Sequence, residues 1–600
     1  MIEFFRRLYP LLDRPTKQRL ALATAAMLFL AVLEAAALVA LVPLMQILTA
    51  PNLHSSSSFV STVSGLVGNP QPLQLAAYLG IVVFGIYIVK SVAAIFIMRW
   101  TTTFALAQEA KMVHRLMSVY LEAPYRAHLQ RNSAEFVRTL TASFQQIFRV
   151  AFVQVFNAVG DLFSVFFVGI ILAVANPTLA AVTGIYFAVV SIGYQRTTRR
   201  MIARAARKIH EDQATDFRTI QQSLAAVKEV KVRGAEDYFA EDVYRLRSGL
   251  VPAYRTMALA NVTPRYVLEL AMVGAAALIS FGAFQTQSVT TATATIGVFV
   301  AGGFRILAPL NKVIFGIHLA RGAIPSLDQV REDLETFEQQ SPVPEDNFVH
   351  LEDRQLQPNI AVRDVTFAYV PGVPVLSRIT LDIEPGEAVG LVGGSGAGKS
   401  TFVDILLGLL EPESGDVLIQ GWPIGQVRRQ WQQMIGYVPQ SIVLFDDTVR
   451  ANVAFGVPRD EVDDDQVWNA LATAQLDDVV HSLTEDLDNI IGEGGVQLSG
   501  GQRQRMGVAR ALYQDPKVLM FDEATSALDN ETEFKLTEVL DGLRGRLTTI
   551  TIAHRLSTVR RCDRLFYLEQ GRMLAQGTFA ELNVAIPGFA RMVELAAVDV

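Results

Sequence analysis

Ala388-Val-Gly-Leu-Val392 is followed by Gly393-Gly-Ser-Gly-Ala-Gly398-Lys399-Ser400-Thr401: an apolar run, a glycine-rich loop, then one lysine and two hydroxyl residues. The apolar run predicts a buried strand and the residues from Lys399 a helix, so the glycines fall between strand end and helix start. In that context the loop is a phosphate cradle. Its backbone N–H groups and the positive helix end hold the phosphates, Lys399 adds a point charge, and Ser400 is placed to ligate Mg²⁺. Downstream, Val518-Leu-Met-Phe-Asp522-Glu523 is a second apolar strand ending in two carboxylates. Asp522 is suited to complete a Mg²⁺ shell and Glu523 to polarise an attacking water, whereas a carboxylate at a strand end is otherwise merely solvated.

Working outward, apolar runs at Ala361–Tyr369 and Thr548–Ile552 alternate with helical patterns, which predicts an α/β nucleotide-binding domain over 359–600. The proline-bearing polar stretch 341–358 reads as a linker. Residues 1–340 read as a membrane domain. With 51% hydrophobic residues, 18% charged residues and a mean hydropathy of +0.30, the chain is too apolar for a soluble core alone. Charge separates likewise: 31 Lys and Arg against 21 Asp and Glu before Ser341, and 21 against 38 after it. No basic surface laced with aromatics supports nucleic-acid binding. Cys562 is the sole cysteine, which excludes an intrachain disulfide or a cysteine metal cluster.

Six stretches are expected to cross the bilayer: Leu20–Leu48, Leu73–Met98, Val150–Ala175, Thr178–Tyr194, Tyr266–Phe284 and Ala292–Ala320. The connections 50–72, 176–177 and 285–291 carry no Lys or Arg, while those between spans two and three and between four and five are rich in both. The positive-inside rule then puts both termini and both long connections in the cytosol, with the first span a retained helix and not a cleaved leader. The long connections read as helical levers turning near Pro124–Arg131 and Asp216–Ala225, or else as solvated basic faces. Within the spans, Glu34, Lys90, Asp161, Arg265, Glu269, Arg305 and Lys312 are costly charges. Lys90, Arg265 and Arg305 lie at the midplane or in its cytosolic half. Facing one cavity they would hold a phosphate or diphosphate; alternatively they pair internally, Arg265 with Glu269 and Lys90 with Asp161 or Glu34.

Taken together, the motifs resemble the ATP-binding cassette superfamily along the whole chain. The resemblance makes Gly393, Ser395, Gly396, Gly398, Lys399, Ser400 and Thr401 the ATP cradle, Tyr369 the adenine-stacking aromatic, and Ser400, Gln440 and Asp522 the Mg²⁺ residues. It makes Glu523, His554 and Gln440 catalytic, Leu498-Ser499-Gly500-Gly501-Gln502 the signature, and Ser526–Asp529 the dimer-communication segment with Asp529 at the nucleotide. Gly492–Gly495 resembles the exporter contact to the partner's levers. Ser499, Gly500 and Gly501 open a helix that a γ-phosphate can approach closely because glycine lacks a side chain. In the family that phosphate belongs to the opposite subunit, which implies a homodimer with two ATP sites.

The domain order resembles the type IV exporter fold: six membrane helices fused to a cytosolic α/β P-loop domain. Glu34, Thr263–Glu269, Phe304–Lys312 and an outer amphipathic segment Ser58–Val67 are similar to flippases for lipid-linked oligosaccharides of the bacterial N-glycosylation (PglK) type. That resemblance implies an ATPase of the bacterial inner membrane that moves a polyisoprenyl-diphosphate glycan to the outer leaflet. Lys90, Arg265 and Arg305 would engage the diphosphate, and membrane lipid would surround the tail. Lys90 stands where an arginine is expected, keeping the charge without the bidentate fork. The alternatives are a general exporter of amphipathic lipids, drugs or peptides, and an ATPase that gates a channel; an intact Glu523 and His554 argue against the gate.

Overall fold

The apolar stretches run on into charged helix without a break, and the computed structural model winds them as helices far longer than a bilayer is thick. It describes residues 1–49, 71–286, 289–340, 358–522, 538–539, 541–552 and 559–598. The chain forms two compact units, one of residues 1–123 and 127–341, the other of 342–600 together with Pro124–Arg126.

The first unit is helical. A short α1 (Ile2–Leu8) precedes α2 (Arg14–Thr49), α3 (Pro72–Glu122), α4 (Val153–Ala175), α5 (Pro177–Ala225), α6 (Glu236–Thr286) and α7 (Val289–Gln340). At 1.5 Å per residue α3, α5, α6 and α7, of 49 to 52 residues each, span about 75 Å, so some 45 Å of each projects beyond a hydrocarbon core of about 30 Å. Among the described residues five segments are apolar and long enough to cross: Arg14–Ala37, Gln74–Glu122, Ser133–Val174, Pro177–Ala225 and Glu236–Gln285. The sixth expected span, Ala292–Ala320, lies on α7. Asn176 ends α4 and caps α5, its side chain accepting from the Leu179 amide at 3.1 Å with Pro177 in the first turn, so the reversal needs a single residue.

The lever turns differ in one respect from expectation. Asp216–Ala225 is helical, and the chain reverses later, through Ala226, a short helix Val227–Arg233 and Gly234, whose φ of +59° is left-handed. That conformation favours glycine, and the αL glycine, not the polar run before it, marks the turn. Asp216 instead accepts from Arg247 on α6 at 3.1 and 3.0 Å, tying the two levers together.

Helix α5 packs on α6, α4 on α7, and α2 on both α3 and α4. Toward the lever end of the unit, Phe4 and Leu8 of α1 are buried with Phe144, Phe148, Phe152, Leu334 and Phe337. The approach to α4, Thr139–Ser143 and Gln145–Phe152, is wound as π-helix.

Among the described residues the second unit places ten strands in two sheets. The antiparallel sheet has the order β2-β1-β4-β5, from β1 (Ile360–Phe367), β2 (Leu376–Ile383), β4 (Ser414–Ile419) and β5 (Trp422–Pro423). The larger sheet runs β10-β9-β3-β8-β7-β6, from β3 (Ala388–Val392), β6 (Ile435–Val438), β7 (Val518–Asp522), β8 (Thr548–Ile552), β9 (Arg564–Glu569) and β10 (Arg572–Gly577). All its pairings are parallel except that of β10 with β9. Every residue of β3 is buried, as its unbroken apolar run requires of a central parallel strand.

Candidate functional site: a nucleotide cradle and an intramembrane charge cluster

In a parallel sheet ligands gather beyond the carboxyl ends of the strands, where helix N-termini point. The loop after β3 opens there and feeds α8 (Lys399–Leu406). Its glycines are needed for two distinct reasons. A Cβ on Gly393 would sit 2.1 Å from the Leu568 carbonyl oxygen of β9, and one on Gly398 2.7 Å from Leu376, so neighbouring elements leave no room. Gly396 has open space around it but a φ of +76°, which side chains disfavour.

The loop curls around its own lysine. Lys399 is 5% exposed, and its Nζ donates to the carbonyls of Gly393 at 2.9 Å and Gly394 at 3.0 Å. Val375 and Ser395–Thr401 line a cavity of about 240 Å³ at this position. Tyr369, half-buried two residues beyond β1, brings its hydroxyl within 3.3 Å of the Thr401 hydroxyl and packs edge-on against Phe367. The sequence-predicted aromatic and cradle are therefore adjacent. Gln440 is exposed just past β6, and Asp522 closes β7. Glu523, Ser526–Asp529 and His554 lie outside the described residues.

Asp404 was not among the expected site residues. It lies one helical turn beyond Ser400 on α8, and burial together with the Asp522 charge pushes its carboxyl up to about 6. Burial first, then Asp522 and Asp404, push the Tyr437 hydroxyl up as well, and Tyr437 hydrogen-bonds Asp522. The i, i+4 spacing from Ser400 to Asp404 was the available signal, but a carboxylate inside a helix reads as a solvated face until the strand opposite it is known. Two carboxylates and a serine hydroxyl beside a lysine-bearing anion cradle form a hard oxygen donor set, which fits a magnesium ion shared with phosphates.

Ser499 begins the helix α9 (Gly500–Leu512) with a capping box: its Oγ accepts from the Gln502 amide at 3.2 Å, and Gln502 Oε1 accepts from the Ser499 amide at 2.8 Å. A Cβ on Gly500 would meet nothing within 4 Å. This chain's own packing thus does not demand that glycine; it leaves the helix end bare.

The membrane charges divide. Glu34 Oε1 on α2 accepts from Lys90 Nζ on α3 at 2.9 Å and from Arg305 Nη2 on α7 at 2.7 Å, while its Oε2 accepts from Ser164 Oγ on α4 at 2.7 Å. One carboxylate gathers four helices. Arg265 is placed elsewhere, bonded at 2.8 Å to Glu269 on its own helix face with 66% of its side chain exposed. Lys312 approaches Asp161 at 3.7 Å. Of the three expected cavity cations, the structure joins Lys90 and Arg305 and sets Arg265 apart.

Two family descriptions match the chain: ABC transporter transmembrane region over residues 23–302, and ABC transporter over residues 376–526. Among similar proteins is an ATP-dependent lipid A-core flippase of Cupriavidus metallidurans, 32% identical over 487 residues and covering 79% of each chain. Another protein of that name, from Thiobacillus denitrificans, is 32% identical over 523 residues, 84% of this chain and 86% of its own. The fold is that of a bacterial Atm1-family ABC exporter with ATP bound, at a TM-score of 0.76 and 24% identity over 98% of this chain and 99% of the other. A strand-fed phosphate cradle joined in one chain to a bundle of bilayer-crossing helices thus belongs to the ABC transporters, membrane proteins of the type IV exporter fold that couple an ATPase to transport.

Proposed function

We propose that this chain is an ATP-driven flippase for a lipid bearing an anionic saccharide headgroup, and specifically a polyisoprenyl-diphosphate oligosaccharide, working as a homodimer in the bacterial inner membrane with both termini cytosolic. The observation that carries the reading is the convergence of Lys90 and Arg305 on one carboxylate within the bundle. Cations in hydrocarbon are retained where they have work to do, and phosphate oxygens are the groups they bind most strongly. A saccharide phosphate cannot cross hydrocarbon unaided, since each unpaired polar group costs several kcal/mol, on the order of 2–7. The relatives named lipid A-core flippase favour a second reading, a glycolipid of that type, which shares the phosphorylated sugars and the apolar anchor.

In this reading Lys399 and the Gly393–Thr401 amides hold the ATP phosphates, Tyr369 stacks the adenine, and Ser400, Gln440 and Asp522 hold Mg²⁺, which neutralises charge on the phosphates. Glu523 polarises the attacking water, and His554 and Gln440 position the γ-phosphate side. Ser499, Gly500, Gly501 and Gln502 face the nucleotide of the partner subunit, with Asp529 at the same seam. Lys90 and Arg305 receive the headgroup, and the exposed Arg265 makes an outer contact with it. The test is reconstitution in vesicles with a fluorescent polyisoprenyl-diphosphate oligosaccharide or a lipid A-core glycolipid, following ATP-dependent change in accessibility to an outside enzyme. Equal traces for wild type and Glu523→Gln with both lipids would overturn the reading; movement of the glycolipid alone would replace the first substrate with the second.

A further inference from the structure

The charges around Glu34 do not balance. Two cations, Lys90 and Arg305, meet a single carboxylate, and the remaining bond to that carboxylate comes from the neutral Ser164, itself 3% exposed. Formally the cluster carries one positive charge. Arg305 also keeps a buried Nε without a hydrogen-bond partner among the described residues. A buried cationic donor left unsatisfied is costly, so its fork is incompletely used in the state shown. Roughly two helical turns along α7, Lys312 faces Asp161 more loosely at 3.7 Å, and that pair is formally neutral. The excess positive charge is therefore localised at Glu34.

We propose that Glu34 is a specificity-determining residue that sets the charge a headgroup must carry: it occupies Lys90 and Arg305 as a resident anion, and only a phosphomonoester or diphosphate displaces it. This rests on the flippase reading for the headgroup class. The competition follows from charge. A phosphodiester, the linkage of bulk phospholipids, brings one negative charge and two anionic oxygens, the same as the carboxylate already in place, and gains nothing by exchange. A phosphomonoester or diphosphate brings about two charges or more and three or more acceptor oxygens, enough to satisfy Lys90, Arg305 Nη2 and the idle Arg305 Nε together. Glu34 then keeps its bond to Ser164, which needs no cation. A bare pair of cations would bind the phospholipid that surrounds it on every side; the carboxylate raises the threshold above that background.

The experiment is direct binding in phosphatidylcholine nanodiscs with Mg²⁺-ADP filling the nucleotide sites. Two probes are compared within each variant, geranylgeranyl diphosphate and phosphatidylglycerol. The readout is the ratio of their dissociation constants, which is insensitive to the fraction of protein that folds. Wild type is expected to prefer the diphosphate. Glu34→Gln is expected to bind phosphatidylglycerol as well, reducing the preference about tenfold, the scale of one charged hydrogen bond. The charge-balanced Glu34→Gln/Lys90→Gln, with one cation and no carboxylate, restores the formal charge and is expected to recover only part of the preference; it also serves if the single variant does not fold. An unchanged ratio in both variants, or no binding of the diphosphate by wild type, would overturn the proposal. Transport is followed separately: a ratio that shifts in a protein that moves neither lipid leaves Glu34's role standing and removes the flippase reading, whereas transport with an unshifted ratio does the reverse.

Discussion

The nucleotide cradle and the Glu34 cluster, the second a phosphate site only under the proposed function, are made of opposite materials. In the cradle the donors are main-chain amides of one contiguous loop, locked by β3 behind it and α8 ahead of it, with a single buried lysine. In the bundle every contact is a side chain, and the four contributors come from α2, α3, α4 and α7, separated by as many as 271 positions in sequence. A main-chain site is fixed by local geometry and tolerates little. A side-chain site can be retuned one residue at a time, so one fold can carry different specificities.

The comparison breaks most sharply at Lys399. If the cradle depends on one charge, Lys399→Ala should lower phosphate release from ATP by about 10²–10³-fold, the loss seen when a single preorganised donor is removed. Hydrolysis within tenfold of wild type would show that the amides alone suffice. Next in size is the backbone itself. Gly393→Ala forces a methyl to within 2.1 Å of the Leu568 carbonyl and should cost about 1–3 kcal/mol of overpacking in the ATP-binding unit. Gly396→Ala meets only the left-handed penalty, about 1–2 kcal/mol, because its space is open. Thermal unfolding of the two variants, with and without ATP, orders them; a Gly396 variant less stable than the Gly393 one would reverse the assignment.

The same contrast explains what could be read beforehand. The run from Ala388 to Thr401 carries its own context, since the apolar strand, the glycines and the helix start are consecutive, so fold and cradle were visible together. So was the helix start at Ser499, Gly500 and Gly501, which the structure closes with a capping box between Ser499 and Gln502. The pairing of Glu34 with both Lys90 and Arg305 was not, because spacing along a helix gives a face but not which helix lies opposite. Asp404 escaped for the same reason, its partner Asp522 lying on another element. The turn at Gly234 was displaced from its expected place because polarity marks a solvated lever as readily as a loop.

Asp404 supplies a prediction of intermediate size, for the cradle has like charges where the bundle has opposite ones. A carboxyl raised from the ordinary range to about 6 binds its proton more tightly in the folded chain than in the unfolded one. Stability from this group is therefore complete below the unfolded value near 4 and is lost as pH rises through 6. In Mg²⁺-free buffer Asp404→Asn should raise the melting temperature of the ATP-binding unit at pH 7.5 and flatten its slope between pH 4 and 6. Solvent screening of this partly exposed group keeps the gain under about 1 kcal/mol. A lower melting temperature for the variant at pH 7.5 would show that the carboxylate is held by a favourable partner and not by repulsion.

The smallest effect separates Arg265 from Arg305. Both are arginines on membrane helices, but Arg305 shares a part-buried carboxylate with Lys90, while Arg265 is two-thirds exposed and paired four residues along its own helix. An exposed pair of that spacing is screened by solvent, so Arg265→Gln should leave the melting temperature nearly unchanged. As an outer contact it should raise the concentration of polyisoprenyl diphosphate that half-stimulates ATP hydrolysis only about two- to threefold. Arg305→Gln leaves Lys90 alone on Glu34 and removes the fork that a phosphate needs, so the same concentration should rise about tenfold or more. Equal shifts for the two variants would mean that both arginines meet the headgroup at one depth, and that the separation between an exposed helix face and the four-helix cluster does not order the binding.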